Sequence, residues 1–402
     1  MDVRLRRIAA KLAIVPYLPG RSHSFGEDKH RFRLGPPLPE AEVAAFEARY
    51  GVRLPREYRD FLTTLGHGGA GPYYGLLPLE TWHRSVIGDL PSGHLTRPFP
   101  LEPGSRPGPE GCEELGSNPF SGAIPLVHQG CSYASLLVVT GPARGRVVDI
   151  DLDRQPPFFT SDTGFLAWYE RWLDEIADGL TSAGFSSSLP GGQAALASVL
   201  RDSTDSVSRQ RAALTLSRHP TLTTQTMDAL AEAVRRDGHA MVRLHALGAL
   251  TAPLRGPALS VLEQALDDPA SEVRALAVRQ LERRGERWYP RVRRALRDEH
   301  GEVREAAIGV LDRCEVLTEA DVLPLADDPA AAVRAAVIVA LRRLGSGHAE
   351  PGARAALDDP DLGVRHCGLG VLARARWLTG GDLAKATADP GLRERAERLA
   401  RR

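Results

Sequence analysis

Residues 38–79, LPEAEVAAFEARYGVRLPREYRDFLTTLGHGGAGPYYGLLPL, decide how the first part of the chain folds. Val43, Phe46 and Tyr50 recur at helical spacing, and Tyr58, Phe61, Leu62 and Leu65 do so again. Pro39 and Pro55 stand where a first helical turn tolerates a missing N–H, and Gly51 and Gly66 stop the two runs. A glycine-rich turn, Gly66–Gly71, leads into the apolar run Tyr73–Leu79. Two short amphipathic helices and a turn are therefore predicted.

Upstream, residues 2–15 predict another amphipathic helix, burying Val3, Ile8, Leu12 and Val15. Residues 16–37 predict a surface connection with one strand at Arg31–Leu34. Downstream, Pro91–Pro119 is dense in Pro, Gly and Glu and reads as a loop excursion. Ala123–Val127 and Cys131–Thr140 read as strands, the second apolar enough for burial on both faces. Gly141–Gly145 is a hairpin-type turn and Arg146–Ile150 the return strand. From Thr160 the pattern becomes helical, with Phe165, Tyr169, Ile176 and Leu180 on one face and Ser161 or Asp162 as cap. Helices, an antiparallel sheet and a closing helix make an α+β domain over residues 1–181.

Leu38-Pro39, Phe46-Glu47, Tyr50-Gly51, Leu54–Tyr58, Phe61-Leu62, the glycine turn and Tyr74-Gly75-Leu76 together resemble the SUKH superfamily, in the branch named for a fungal regulator of cell-wall synthesis. The resemblance implies a binding module with no reaction of its own. It also implies a protein partner: a cognate bacterial toxin for an immunity protein, or the target of a regulator acting by contact.

Residues 182–192, within TSAGFSSSLPGGQ, are small, polar and glycine-rich and read as a flexible linker. Beyond them Val-Arg pairs recur at Val242-Arg243, Val273-Arg274, Val303-Arg304, Val333-Arg334 and Val364-Arg365, with degenerate copies at Arg209 and Arg393. Successive arginines are 34, 31, 30, 30, 31 and 28 residues apart, the period of a helical solenoid with two helices per unit. Residues 193–402 are thus expected to form an all-α superhelical solenoid of about seven helix pairs. The copies resemble HEAT-like repeats of the phycobilisome-lyase type, a scaffold that transfers no catalytic residue. Asp268-Pro269, Asp328-Pro329, Asp359-Pro360 and Asp389-Pro390 read as N-cap and first-turn pairs of second helices. The repeated arginines are expected to pair with these aspartates and align the stack, since a position present in every unit serves the repeat first. A ladder for phosphates is the alternative.

At 402 residues, two or more domains are expected. With 51 basic and 51 acidic residues, attraction to nucleic acid or anionic membrane is not a property of the whole chain. Cys112, Cys131, Cys314 and Cys367 form no CxxC pair, and no run approaches the ~20 apolar residues of a membrane span, so a cytoplasmic protein is expected. The histidines never form HxH, HxxH or HExxH, so neither metal nor cofactor is expected. Gly66–Gly71 lacks the Gly-Lys-Ser/Thr that closes a phosphate loop, no Gly-x-Ser-x-Gly elbow exists, and an enzyme is not expected.

Two stretches remain as partner-binding candidates. RQLERRGERWYPRVRRALR, Arg279–Arg297, holds eight arginines against two glutamates. In it Arg283, Arg284, Arg287, Arg291 and Arg294 flank Trp288 and Tyr289, a composition suited to phosphates, bases or acidic protein surfaces. It carries the alternative function, nucleic-acid binding by the solenoid; a solvated helix face with the aromatics packed between repeats is the structural reading. Asp149, Asp151 and Asp153 alternate along a strand end and read as a solvated acidic edge that could face a basic partner, with Tyr73 at the exit of the glycine turn.

Overall fold

A computed structural model describes residues 2–21, 23–79, 93–104, 121–151, 157–251, 259–282 and 284–401. Arg283, Asp153, Cys112 and most of the Pro91–Pro119 excursion lie outside the described residues. The chain divides into two compact units, 1–226 and 227–402.

In the first unit helices α1 (Val3–Ile14), α2 (Glu27–His30), α3 (Glu40–Tyr50) and α4 (Arg56–Thr64) precede strands β1 (Ala123–Gly130), β2 (Tyr133–Val138), β3 (Val147–Asp151) and β4 (Phe158–Phe159). The sheet is antiparallel in the order β1-β2-β3-β4, and helix α5 (Phe165–Ala177) closes it. Alternation sends Leu137, Val139 and Val147 to one face and Leu136, Val138, Val148 and Ile150 to the other. The first face packs on α1, α4 and α5, where Phe165 meets Tyr58 at 4.8 Å and Phe61 at 5.1 Å between ring centroids. The second face is covered by Phe99, Leu101, Ala143 and Phe159. Burial on both faces, expected of Cys131–Thr140, is what the sheet shows.

The strand expected at Arg31–Leu34 shrinks to one bridge, Leu34 to Gly69, because Arg31 and Phe32 take positive φ of 47° and 56°. Gly69 must be glycine: at φ +85° a Cβ there would lie 2.2 Å from the Arg33 carbonyl oxygen. Neither Ser161 nor Asp162 caps α5. Its N-cap is Gly164, the Leu166 N–H donates to Glu57 Oε2 of α4 at 3.0 Å, and Asp162 is engaged elsewhere.

Within residues 182–192, expected to be flexible, the stretch around Phe185 is packed, while Pro190, Gly191 and Gly192 are exposed. Phe185 is fully buried, and Ser182, Ser186 and Ser188 are buried too. The reason is Arg171 of α5, whose guanidinium lies over the Phe185 ring at 3.9 Å. It donates to Asp162 at 2.8 and 2.7 Å, to Glu175 and Ser188 at 2.6 Å, and to the Phe185 carbonyl at 3.1 Å. A buried cation needs every donor matched, and that requirement fixes the segment that supplies the acceptors. Helices α6 (Gln193–Asp202) and α7 (Ser206–Arg218) belong to the same unit, tied by Arg218 to Glu175 at 2.7 Å.

The helical repeat region continues with α8 (Thr224–Arg236) and α9 (Ala240–Thr251), α10 (Leu259–Ala265) and α11 (Ser271–Gln280), and α12 (Tyr289–Ala295) and α13 (Gly301–Arg313). Then come α14 (Glu319–Val322) and α15 (Ala331–Arg343), α16 (Ala349–Ala355) and α17 (Leu362–Ala375), and α18 (Gly380–Ala388) and α19 (Arg393–Ala400). Among the described residues, α6 to α19 make seven pairs. Among the described residues no helix is long and apolar enough to cross a membrane.

Candidate functional site: an aromatic patch on a polar sheet end

One face of the sheet changes character along its length. Along β2 the residues of this face run Leu137, Ser135, Tyr133, with Val139 just beyond the strand's end, and on β3 Val147, Asp149, Asp151. The apolar end lies under α5; the polar end carries the candidate site.

Its floor is buried. Asp149 is only 2% exposed, which corrects the expected solvated edge. Its Oδ1 accepts from Ser135 Oγ at 2.6 Å and Gln129 Nε2 at 2.9 Å, while Oδ2 has no hydrogen-bond partner among the described residues. Burial pushes the Asp149 carboxyl up to about 6, against the Ser135, Ser186 and Gln129 hydrogen bonds that favour the charged form. Gln129 also reaches Ser186 Oγ at 3.3 Å, and Ser186 meets Tyr73 OH at 3.2 Å. Tyr73 is therefore a buried member of this network, not a surface contact, and burial followed by the Asp149 charge raises its hydroxyl to about 12.

The neighbouring residue is the exposed one. Tyr74 packs its ring against Phe25 at 4.9 Å and stacks on His128 at 6.0 Å, and Phe25 and Tyr74 are 55% and 37% exposed. A Cβ on Gly130 would meet both rings, at 3.7 and 3.8 Å. Tyr133 pairs with Gly130 across the strands, and directly opposed residues share a face, so its 36% exposed ring stands beside them. Asp151, opposite Tyr133 and half-buried, accepts from Ser132 Oγ at 2.6 Å and supplies an acid at the rim. Three exposed aromatic rings with one carboxylate, on a frame of strands and buried hydrogen bonds, form a contact surface of the kind that dominates protein interfaces. Sequence reading reached Asp151 and missed Phe25, Tyr74 and Tyr133; the Tyr73-Tyr74 doublet marked the place without saying which ring faces water.

In the second unit the repeated arginines form a ladder. Arg243 donates Nε and Nη2 to Asp268 at 2.8 and 2.7 Å, Arg274 to Asp298 at 2.8 Å twice, Arg304 to Asp328 at 2.7 and 2.6 Å, and Arg334 to Asp359 at 2.7 Å twice. Each also donates Nη1 back to a carbonyl of its own pair, as Arg304 does to Asp298 O at 2.6 Å. Arg365 Nε lies 2.8 Å from Asp389 Oδ2, and its Nη1 donates to the Asp359 carbonyl at 2.8 Å. Pairing with the next unit's aspartate is the alignment role expected from the period. The aspartates are not the N-caps themselves. Asp268 and Asp328 stand two residues before Ala270 and Ala330, the cap residues, and accept from their N–H at 2.8 Å. The pairing shifts both partners. The Asp328 hydrogen bonds, ahead of the opposing burial, hold Arg304 above its ordinary value. Burial would raise Asp328, but Arg304 and the Ala330 N–H outweigh it and leave the carboxyl low.

The arginine-rich stretch disperses. Arg293 is tied to Asp321 at 3.2 Å and to the Val316 carbonyl at 2.6 Å, and Arg291 to Asp267 at 2.9 Å. Trp288 is 8% exposed and Tyr289 half-buried, so the expected aromatic surface here is packed away. Arg287 is exposed over the Trp288 ring at 5.3 Å, Arg284 is half-buried, and Arg294 is exposed.

The geometry defines a two-part protein, an α+β domain with a helical repeat region. Residues 37–150 match the SMI1/KNR4 family (SUKH-1) and residues 258–324 match HEAT repeats, so the chain carries a SUKH-1 domain followed by HEAT repeats. No curated protein matches it. Among solved structures, Escherichia coli YibA is 18% identical over 57% of this chain and 88% of its own, with a TM-score of 0.40. The complex of CpcE and CpcF of phycocyanin lyase from Nostoc sp. PCC7120 is 20% identical, covering 53% and 94%, with a TM-score of 0.35. A designed armadillo repeat protein in complex with the peptide (KR)4 is 17% identical, covering 45% and 98%, with a TM-score of 0.31. SUKH and HEAT-repeat domains are generally non-catalytic and mark a protein-interaction or regulatory scaffold.

Proposed function

We propose that this chain is a non-catalytic scaffold whose SUKH-1 domain grips a protein partner at the Phe25–Tyr74–Tyr133 surface, as an immunity or regulatory protein. The observation that carries the reading is the exposed Phe25–Tyr74 pair on His128, rings that solvent does not favour and that the fold holds still. Asp151 at the rim suits a partner carrying a basic residue, and a cognate toxin is the partner the family implies. The acidic excess of residues 1–192, 22 acidic against 19 basic, is small, so steering is a minor part of the recognition.

A photo-crosslinking residue placed at Tyr74, and separately at exposed Glu272 on α11, tests this in cells of the source organism. One protein adduct specific to position 74, lost on Phe25→Ala, supports the proposal. Identical adduct patterns at both positions would remove it.

A further inference from the structure

The second unit has a cleft of about 920 Å³ between the α10–α11 turn, α12 and the turn into α13. That volume is in the range of ligand pockets, roughly 300–1,000 Å³. Acids face it from two sides, and each is already held. Asp267 is paired with Arg291 at 2.9 Å, Asp268 with Arg243 at 2.7 Å, and Asp298 with Arg274 at 2.8 Å. Glu299 lies 3.5 Å from both Arg274 and His300. Arg294 and Arg297 also line the cleft, are exposed, and make no ion pair among the described residues. They are three residues apart, Arg294 in the last turn of α12 and Arg297 in the turn that follows it, where the Arg297 N–H donates to the Arg294 carbonyl at 3.0 Å and keeps the two close. The backbone beneath them is fixed by buried Val292 and Leu296 and by Arg293, which is bound to Asp321 and Val316.

We propose that this cleft binds an acidic segment of a protein, with Arg294 and Arg297 as its two carboxylate-binding groups. A guanidinium presents paired N–H donors that match a carboxylate, and two of them three residues apart can take two acids of one peptide segment. Duplex nucleic acid fits worse. Its phosphates follow one another at about one charge per 1.7 Å of axis and would run against Asp267 and Glu299, whose side chains are 60% and 75% exposed. A peptide can set acids on the arginines and neutral residues opposite the carboxylates. This site is independent of the aromatic surface on the first unit.

The test is fluorescence anisotropy with the full chain at low salt. The probes are a labelled glycine–glutamate peptide, its glycine–glutamine counterpart and a short DNA duplex. The wild type should hold the glutamate peptide at least about tenfold tighter than the glutamine one, with affinity falling as salt rises. Arg294→Ser with Arg297→Ser should abolish that preference without shifting the melting temperature. Arg287→Ser, which alters an exposed arginine outside the cleft, should leave it intact. Equal affinity for the two peptides, retention of the preference in the double variant, or tighter binding of the duplex through the same two arginines would each overturn the assignment.

Discussion

Arg304→Met removes three hydrogen bonds from the middle of the ladder while keeping an unbranched stem in place. What remains is the Asp328 carboxylate, whose side chain is 4% exposed, with the Ala330 N–H at 2.8 Å as its hydrogen-bond donor. Stranding one member of a buried pair costs about 3–5 kcal/mol. Because Arg334 still contributes favourable charge at Asp328, about 2–4 kcal/mol is expected here. Arg365→Met is the internal standard: it too loses an Nη1 bond to a carbonyl, that of Asp359 at 2.8 Å, but its pair with Asp389 has side chains 20% and 21% exposed and is worth only about 0–1 kcal/mol. The pH dependence has a definite sign. Asp328 is held below its ordinary 3.8, so its contribution is full above that value and fades as pH falls through the lower folded value. The penalty of Arg304→Met should therefore shrink in acid. Repeat arrays depart from two-state unfolding, so urea melts should be read beside hydrogen exchange of α13 and α15. Costs for Arg304→Met and Arg365→Met within about 0.5 kcal/mol of each other would refute the ladder as a source of stability.

Asp149 makes the opposite pH prediction. Its carboxyl is raised from 3.8 to about 6, so the native state is penalised increasingly as pH rises between those values, and Asp149→Asn should stabilise by up to about 3 kcal/mol at neutral pH but not near pH 4. Thermal melts at the two pH values decide it; equal shifts at both would count against the buried-charge account. Gly75→Ala should destabilise by more than about 2 kcal/mol, since the residue sits at φ +91° and a Cβ would lie 2.1 Å from the Gly69 carbonyl oxygen. A melting temperature within error of wild type would show that the turn can relax. Tyr74→Ala should cost less than about 1 kcal/mol in urea denaturation while weakening partner crosslinking, because that ring is exposed. Loss of folding would instead make the patch structural.

Periodic features were legible in the sequence. The two helices of Leu38–Leu65, the sandwiched strand at Cys131–Thr140 and the thirty-residue repeat follow from spacing alone, and spacing is what secondary structure enforces. Features set by one long-range contact were not. Residues 182–192 have the composition of a linker, yet Arg171 draws acceptors from Asp162, Glu175, Phe185 and Ser188 and so pins the segment down. Asp149 alternates with Asp151 in the way of an exposed edge, but it lies under Gln129 and Ser186, which arrive from distant positions. The cluster Arg279–Arg297 counted charges along the chain, whereas the acids that hold Arg291 and Arg293 stand one repeat away.

The ladder also has a direction. Every rung joins an arginine to an aspartate 24 or 25 residues further on, in the following pair, and never to one in the preceding pair. Each module thus offers a plug at one end and a socket at the other, like bricks that stack only one way up. A duplicated module inserted whole finds both fittings already cut, whereas half a module leaves a plug with no socket. The tract can consequently lengthen or shorten by complete units without redesign, and its sense of growth is written into which residue donates and which accepts.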